Sequence, residues 1–240
     1  MNGPKVIFTI PLFSGIKVTE SIVNMWIIMA ALTAVSIWLT HGLRVRNPSK
    51  KQLVLEKLVT MLDSLVKDTM GESYMSFAPY IGTLFIISII GSLSSLLGMR
   101  PYTGDLSVIL AWAIISFVLI QASGIKAHGI LGYFKSFTAP AAFITPLNII
   151  SEIASPVSMT FRHFGNIAAG LVITSLVYGG LASLSAAVLS WIPNDFIASV
   201  PILQVGLPAV LSIYFDLFTS FLQAYIICML TMVFIQMKAE

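Results

Sequence analysis

The chain has 240 residues, of which 57% are hydrophobic and only 10% charged, with a formal net charge of +3 and a mean hydropathy of +0.94. Soluble domains carry about 25% charged residues, so this balance excludes an ordinary water-soluble fold and indicates a membrane protein. It also excludes nucleic-acid binding, because no basic patch is interleaved with aromatics.

Residues 1–20 read as a short polar lead-in containing Pro and Gly. No early apolar segment ends in a small-residue cleavage site, so no removable signal peptide is expected. Residues 21–40 are apolar and match the roughly 20 residues that a bilayer crossing requires. Trp26 and Trp38 lie near the two ends of this segment, as interfacial aromatics do. The basic run HGLRVRNPSKK stops it. Residues 50–70 differ in kind. Val54, Leu58, Met61, Leu62, Leu65 and Val66 fall on one helical face, and Glu56, Lys57, Asp63, Lys67 and Asp68 take the other. This pattern predicts an amphipathic helix lying on the membrane surface, with Asp63 and Lys67 as a favourable i,i+4 pair.

A second span is expected over 77–97 and a third over 106–122, followed by SGIKAHGILGYFKSF as an interfacial turn. From 146 to 190 a helical pattern persists for about 45 residues, which at 1.5 Å per residue is roughly 68 Å, over twice the hydrocarbon thickness. Such a helix must be tilted, bent or folded back. The loop WIPND and Pro201 precede a last apolar segment, 202–236, again too long for an upright crossing. Gly98 and the Gly179–Gly180 pair read as helix ends or kinks. The fold class is therefore all-α and polytopic, with five membrane-embedded helical elements and one amphipathic surface helix in a single membrane domain, 1–240. Arg44, Arg46, Lys50, Lys51, Lys57, Lys67, Lys126, Lys135 and Lys238 fall on one side if the first span enters from outside. The positive-inside tendency then puts the N-terminus outside and the C-terminus in the cytoplasm.

Three ionisable residues lie deep in apolar sequence: Glu152, Arg162 and Asp216. A guanidinium stays charged at every accessible pH, and burying one in hydrocarbon costs at least about 2.5–3.5 kcal/mol. Ser158, Arg162, Asn166 and Gly170 recur every four residues and form one stripe, with Ser155, Gly165 and Ala169 beside them. A second polar stripe comprises Ser212, Asp216, Thr219 or Ser220, and Gln223. Charges at this depth mark ion pathways. The competing reading is an Arg162–Asp216 salt bridge that only joins two helices, or a small-residue stripe that serves close packing. His163, adjacent to Arg162, points about 100° away around the helix and need not share its role. Cys228 is the single cysteine and reads as a small core residue, so no disulfide or metal cluster is expected. No HExxH, GxSxG or P-loop pattern occurs, so no catalytic residue, metal or cofactor is expected.

PLNIISEIASPVSMTFRHFGNIAAG and LQAYIICMLTMVF together closely resemble the a subunits of F-type ATP synthases. Weaker matches in PYTGD and HGILGYFKSF extend the likeness over nearly the whole chain. The resemblance implies a non-catalytic stator in a bacterial plasma membrane, whose last two long, tilted helices form a hairpin against a rotating ring of c subunits. It implies two aqueous half-channels for H⁺ or Na⁺, with the b-subunit peripheral stalk and the F1 head as further partners. Arg162 matches the family's essential arginine, facing the ring carboxylate, favouring ion release and blocking leakage between half-channels. Asn166 and Gln223 match the polar residues flanking that arginine. Ser158 and Asn148 match positions near the cytoplasmic exit, to which Glu152 is assigned more weakly. Leu171 stands where many relatives carry Glu, and Asp216 stands seven residues before Gln223. The inlet carboxylate is therefore expected to have moved from the fifth helix to the sixth. A secondary transporter with a midplane Arg/Asp site is the alternative, but such folds show internal repeats and none occurs between the halves. An intramembrane enzyme would need a nucleophile–base or metal set that this chain lacks.

Overall fold

The computed structural model describes residues 5–11, 16–45, 47–138, 142–189 and 213–239. Five of its helices are long and apolar enough to cross a membrane, giving an all-α polytopic membrane protein.

The lead-in is more ordered than its composition suggested. Val6–Ile10 (β1) and Ile16–Thr19 (β2) pair as an antiparallel hairpin. Both strands are rich in β-branched residues, and β2 (IKVT) alternates apolar with polar ones, the period-2 pattern of a strand. Val18 is the buried contact, and Thr19 Oγ1 donates to Asp105 Oδ2 at 3.4 Å.

Helix α1 (Glu20–Thr40) follows directly and is almost wholly uncovered. Helix α2 (Lys50–Met70) is capped by Ser49, whose side chain accepts from the Gln52 amide, and ends at Gly71 with φ 86°. Its apolar face is split. Val66 and Met70 are buried in the core, with Leu62 and Leu65 packed beside them. Leu53, Val54, Leu58 and Met61 stay exposed, so the first half of the helix presents its apolar side outward, as an interfacial helix does. Lys51 bends back to the end of α1, donating to the Trp38 carbonyl at 2.7 Å with its ammonium 4.0 Å from the indole centroid.

A 3₁₀ segment, Glu72–Phe77, leads into α3 (Ala78–Leu93), and a second, Ser94–Leu97, closes it at Gly98 with φ 72°. Gly98 is thus a helix end, as its sequence context implied. Tyr102 occupies the next turn with no exposed surface, its hydroxyl donating to the Ile87 carbonyl at 2.7 Å. Burial pushes that hydroxyl well above the usual tyrosine pKa, so it stays a donor. Gly91 makes room for the ring: a Cβ there would lie inside the van der Waals envelope of Tyr102.

Helix α4 runs from Leu106 to Ser136, with Asp105 as its N-cap, its carboxylate accepting from the Ser107 amide. The turn expected over residues 123–137 is made at Gly129, whose φ of 69° breaks α4 into two helical pieces. Tyr133 thereby lies against Gly124 and bonds Gln121. Gly124 and Gly132 stay helical, and for Gly124 the reason is packing. Gly124 brings α4 close to the last turn of the final helix, where a Cβ would approach the Lys238 carbonyl oxygen to 3.1 Å.

Helix α5 (Thr145–Leu189) is 45 residues long, with Pro156 inside it. Gly179 and Gly180, expected as a helix end or kink, lie within this continuous helix. Residues 190–212, which include WIPND, Pro201 and Ser212, fall outside the described residues. A π-helical stretch, Ile213–Phe218, then leads into α6 (Thr219–Ala239). Helix α6 is the hub. Ile227, Cys228, Met232 and Ile235 form one core with Val66 and Met70 of α2, Ala78, Ile81 and Leu84 of α3, Ala113 and Ile120 of α4, and Met159 of α5. Cys228 is free and buried there, its thiol directed at the Ile81 carbonyl.

Candidate functional site

The repeat of four in Ser158, Arg162, Asn166 and Gly170 falls slightly behind the 3.6-residue helical turn, so the stripe winds around α5. Its lower end, Ser158 and Arg162, is exposed, whereas Asn166 is half-buried and Gly170 buried. Phe161 (60% exposed) and Leu176 (70%) share the open side of the helix. Among the described residues Arg162 forms no ion pair and no hydrogen bond. A permanent cation is thus held on an open apolar face.

The upper end of the stripe enters a cleft between α5, α6 and the end of α3. Asn166, Gly170 and Leu171 line it from α5, Thr219, Ser220 and Gln223 from α6, and Ser92 and Ser95 from the α3 side. Gln223 is only 5% exposed. The structure therefore brings Asn166 and Gln223 together in one polar cleft just above Arg162. Leu171 contributes an apolar wall at the place where a carboxylate was missing from the sequence. Asp216 lies in the π-helical stretch one turn before Ser220, and its side chain falls outside the described residues.

Position 163 has a physical explanation. His163 points away from Arg162 into the core, with no exposed surface. Its ring meets Trp112 edge-to-face at 6.3 Å between centroids, and Trp112 meets Tyr102 the same way at 5.9 Å. The three rings form a packed column between α4, α5 and the turn at Tyr102. Both His163 ring nitrogens lack a hydrogen-bond partner among the described residues.

The remaining expected residues gather at the other end of α5. Asn148 Nδ2 donates to the Phe137 carbonyl at 2.8 Å. Glu152 forms an ion pair with Lys238 and accepts from Gln121 Nε2 at 2.7 Å. Lys238, Gln121 and Tyr133, whose hydroxyl donates to Gln121, were not anticipated. Gln121 could have been flagged as an amide inside an apolar span, whereas Lys238 counted only towards orientation. No group of three or more His, Cys, Asp or Glu that could hold a metal occurs among the described residues.

Comparison with known proteins identifies the family. The family model for the ATP synthase A chain matches residues 22–236. The chain is 28% identical to the sodium-ion-specific ATP synthase subunit a of Propionigenium modestum, covering 98% of this chain and 85% of that protein. It is 35% identical to ATP synthase subunit a of Moorella thermoacetica, over 68% of this chain and 75% of that one. It is 31% identical to ATP synthase subunit a 1 of Hahella chejuensis, over 92% and 84%. The apolar helices, the exposed arginine and the match over nearly the whole length lead to one conclusion: this chain belongs to the ATP synthase A chain family.

Proposed function

We propose that this chain is the non-catalytic stator of an F-type ATP synthase, guiding H⁺ or Na⁺ through two half-channels to and from carboxylates on a rotating c-ring. Its partners are the c-ring, the b-subunit stalk and, through the complex, the F1 head. The membrane is the bacterial plasma membrane, with the N-terminus outside and the C-terminus cytoplasmic. The observation that carries this reading is the exposed Arg162, unpaired among the described residues, on the uncovered face of α5. A cation so placed attracts a carboxylate brought to it and lowers that group's affinity for a proton or metal ion. An ion bound to a ring carboxylate is released on reaching Arg162, and no ion passes directly between the half-channels across that charge. The cleft of Asn166 and Gln223, with Asp216 one turn away along the chain, is the inlet. Asn148, Glu152 and Ser158 line the exit.

The test is ATP-driven ion uptake into vesicles carrying the purified complex, native against Arg162→Ala, with and without Na⁺. The mutant complex should assemble with its ring and lose coupled uptake and ATP synthesis. Dependence of native uptake on Na⁺ identifies the ion as Na⁺, and independence as H⁺. Fully coupled uptake by the mutant would overturn the proposal. The Na⁺ arm has a direct motive, since the Propionigenium relative is sodium-ion-specific.

A further inference from the structure

Outside the Arg162 neighbourhood, a polar cluster joins α4, α6 and the start of α5. Lys238 of α6 pairs with Glu152 Oε1, and Gln121 of α4 holds Glu152 Oε2 at 2.7 Å. The Lys238 ammonium also sits 5.8 Å from the Tyr133 ring centroid and 5.1 Å from that of Phe137, within cation–π range. Both charged side chains are about three-quarters covered, at 25% and 22% exposure. They are held from three helices, unlike a free surface pair whose rotamer entropy offsets its attraction.

What the pair separates gives it a role. One cleft of about 290 Å³ runs between α4, α5 and α6 and reaches Met159, three residues before Arg162. A second, of about 400 Å³, is lined by His128, Phe137 and Asn148 at the helix ends. The two share Ser151, Glu152, Met237 and Lys238 as a common wall. At roughly 30 Å³ per water the first cleft has room for several molecules. Pro156 has no N–H to give the Glu152 carbonyl, so the helix is loosened one turn above the pair.

We propose that the Glu152–Lys238 ion pair is a gate between these two clefts, with Lys238 the positioning residue that holds the Glu152 carboxylate across their shared wall. The proposal rests on the exit half-channel reading given above. With the pair closed, the two side chains obstruct the wall. With Lys238 swung aside on its flexible four-carbon stem, water from the helix ends becomes continuous with the cleft below Arg162. A lysine suits this task because its compact charge is not locked in a bidentate fork.

The test is thiol labelling of the assembled, resting complex in vesicles, using a charged, membrane-impermeant methanethiosulfonate reagent applied from the cytoplasmic face. Ser155→Cys places a thiol in the first cleft, and the native Cys228, buried in the core, reports intact packing by staying unlabelled. In that background, Lys238→Ala and Glu152→Gln should each speed labelling of the introduced thiol by roughly five- to tenfold, the factor expected from losing a pair worth about 1 kcal/mol. Lys238→Arg, and the swap Glu152→Lys with Lys238→Glu, should restore the slow rate. Equal rates in all variants would overturn the gate. A rise that the swap fails to reverse, accompanied by labelling of Cys228, would overturn it equally, making the pair a packing device. Labelling needs no turnover, so it stands or falls separately from the Arg162 uptake assay.

Discussion

At the scale of single residues, the two neighbours Arg162 and His163 illustrate opposite solutions to polarity in an apolar helix. Arg162 stays on the open face, where a charge can act on something arriving from outside the chain. His163 goes inward and packs against Trp112, with both nitrogens unpaired among the described residues. A buried polar group without partners costs stability, so replacing it with an apolar residue of similar reach is neutral or favourable. His163→Leu should therefore leave the complex assembled and ATP synthesis near native. A loss of coupling with normal assembly would mean that the imidazole carries protons. For Asp216, one turn from the cleft of Gln223, Asp216→Asn should slow ion entry measured as ATP-driven uptake; unchanged flux would reduce it to a structural polar group. Arg162 could be singled out from sequence because nothing near it in the chain could neutralise it. The Lys238 partnership could not, because 86 positions separate it from Glu152 and only the crossing of α5 and α6 joins them.

At the scale of elements, the apolar runs announced the helices, and the differences arose wherever glycine had two readings. Gly98, at positive φ, ends its helical segment. Gly124 does the opposite, staying helical so that α6 can approach. Gly179 and Gly180 lie inside α5 with no atom of the described residues near an added Cβ. A sequence gives the absence of a side chain but not the neighbour that fills the gap. The β-hairpin was missed for a related reason: its strands are too short to stand out from the Pro and Gly around them. These environments differ measurably. Gly91→Ala must displace the enclosed Tyr102 ring and should destabilise the subunit by about 1–3 kcal/mol, as overpacking does. Gly180→Ala meets no neighbour and should be neutral or stabilising, since alanine is the better helix former. Thermal unfolding of the two variants in detergent, side by side, checks the contrast. Equal midpoints would mean that the Tyr102 turn yields freely.

At the scale of the whole molecule, the distribution of cover is uneven. Helices α3, α4 and α6 bury about two-fifths of their apolar windows inside the chain, at 39%, 39% and 44%, whereas α1 and α5 bury 6% each. Lipid can satisfy most of that bare surface, but it cannot satisfy the guanidinium of Arg162. Before its partners arrive, the subunit holds in hydrocarbon a charge costing about 2.5–3.5 kcal/mol, a large part of the roughly 5–15 kcal/mol that holds a typical domain together. On the role proposed for it, the residue that drives ion release also makes the orphan subunit fragile, and membrane proteases gain a basis for telling orphans from assembled copies. Expressed without the ring, Arg162→Leu should outlive the native chain in a pulse–chase measurement; within the complex that difference should vanish. On the same proposal the exposed arginine dates the molecule: its lifetime begins in earnest only once the subunit has been assembled.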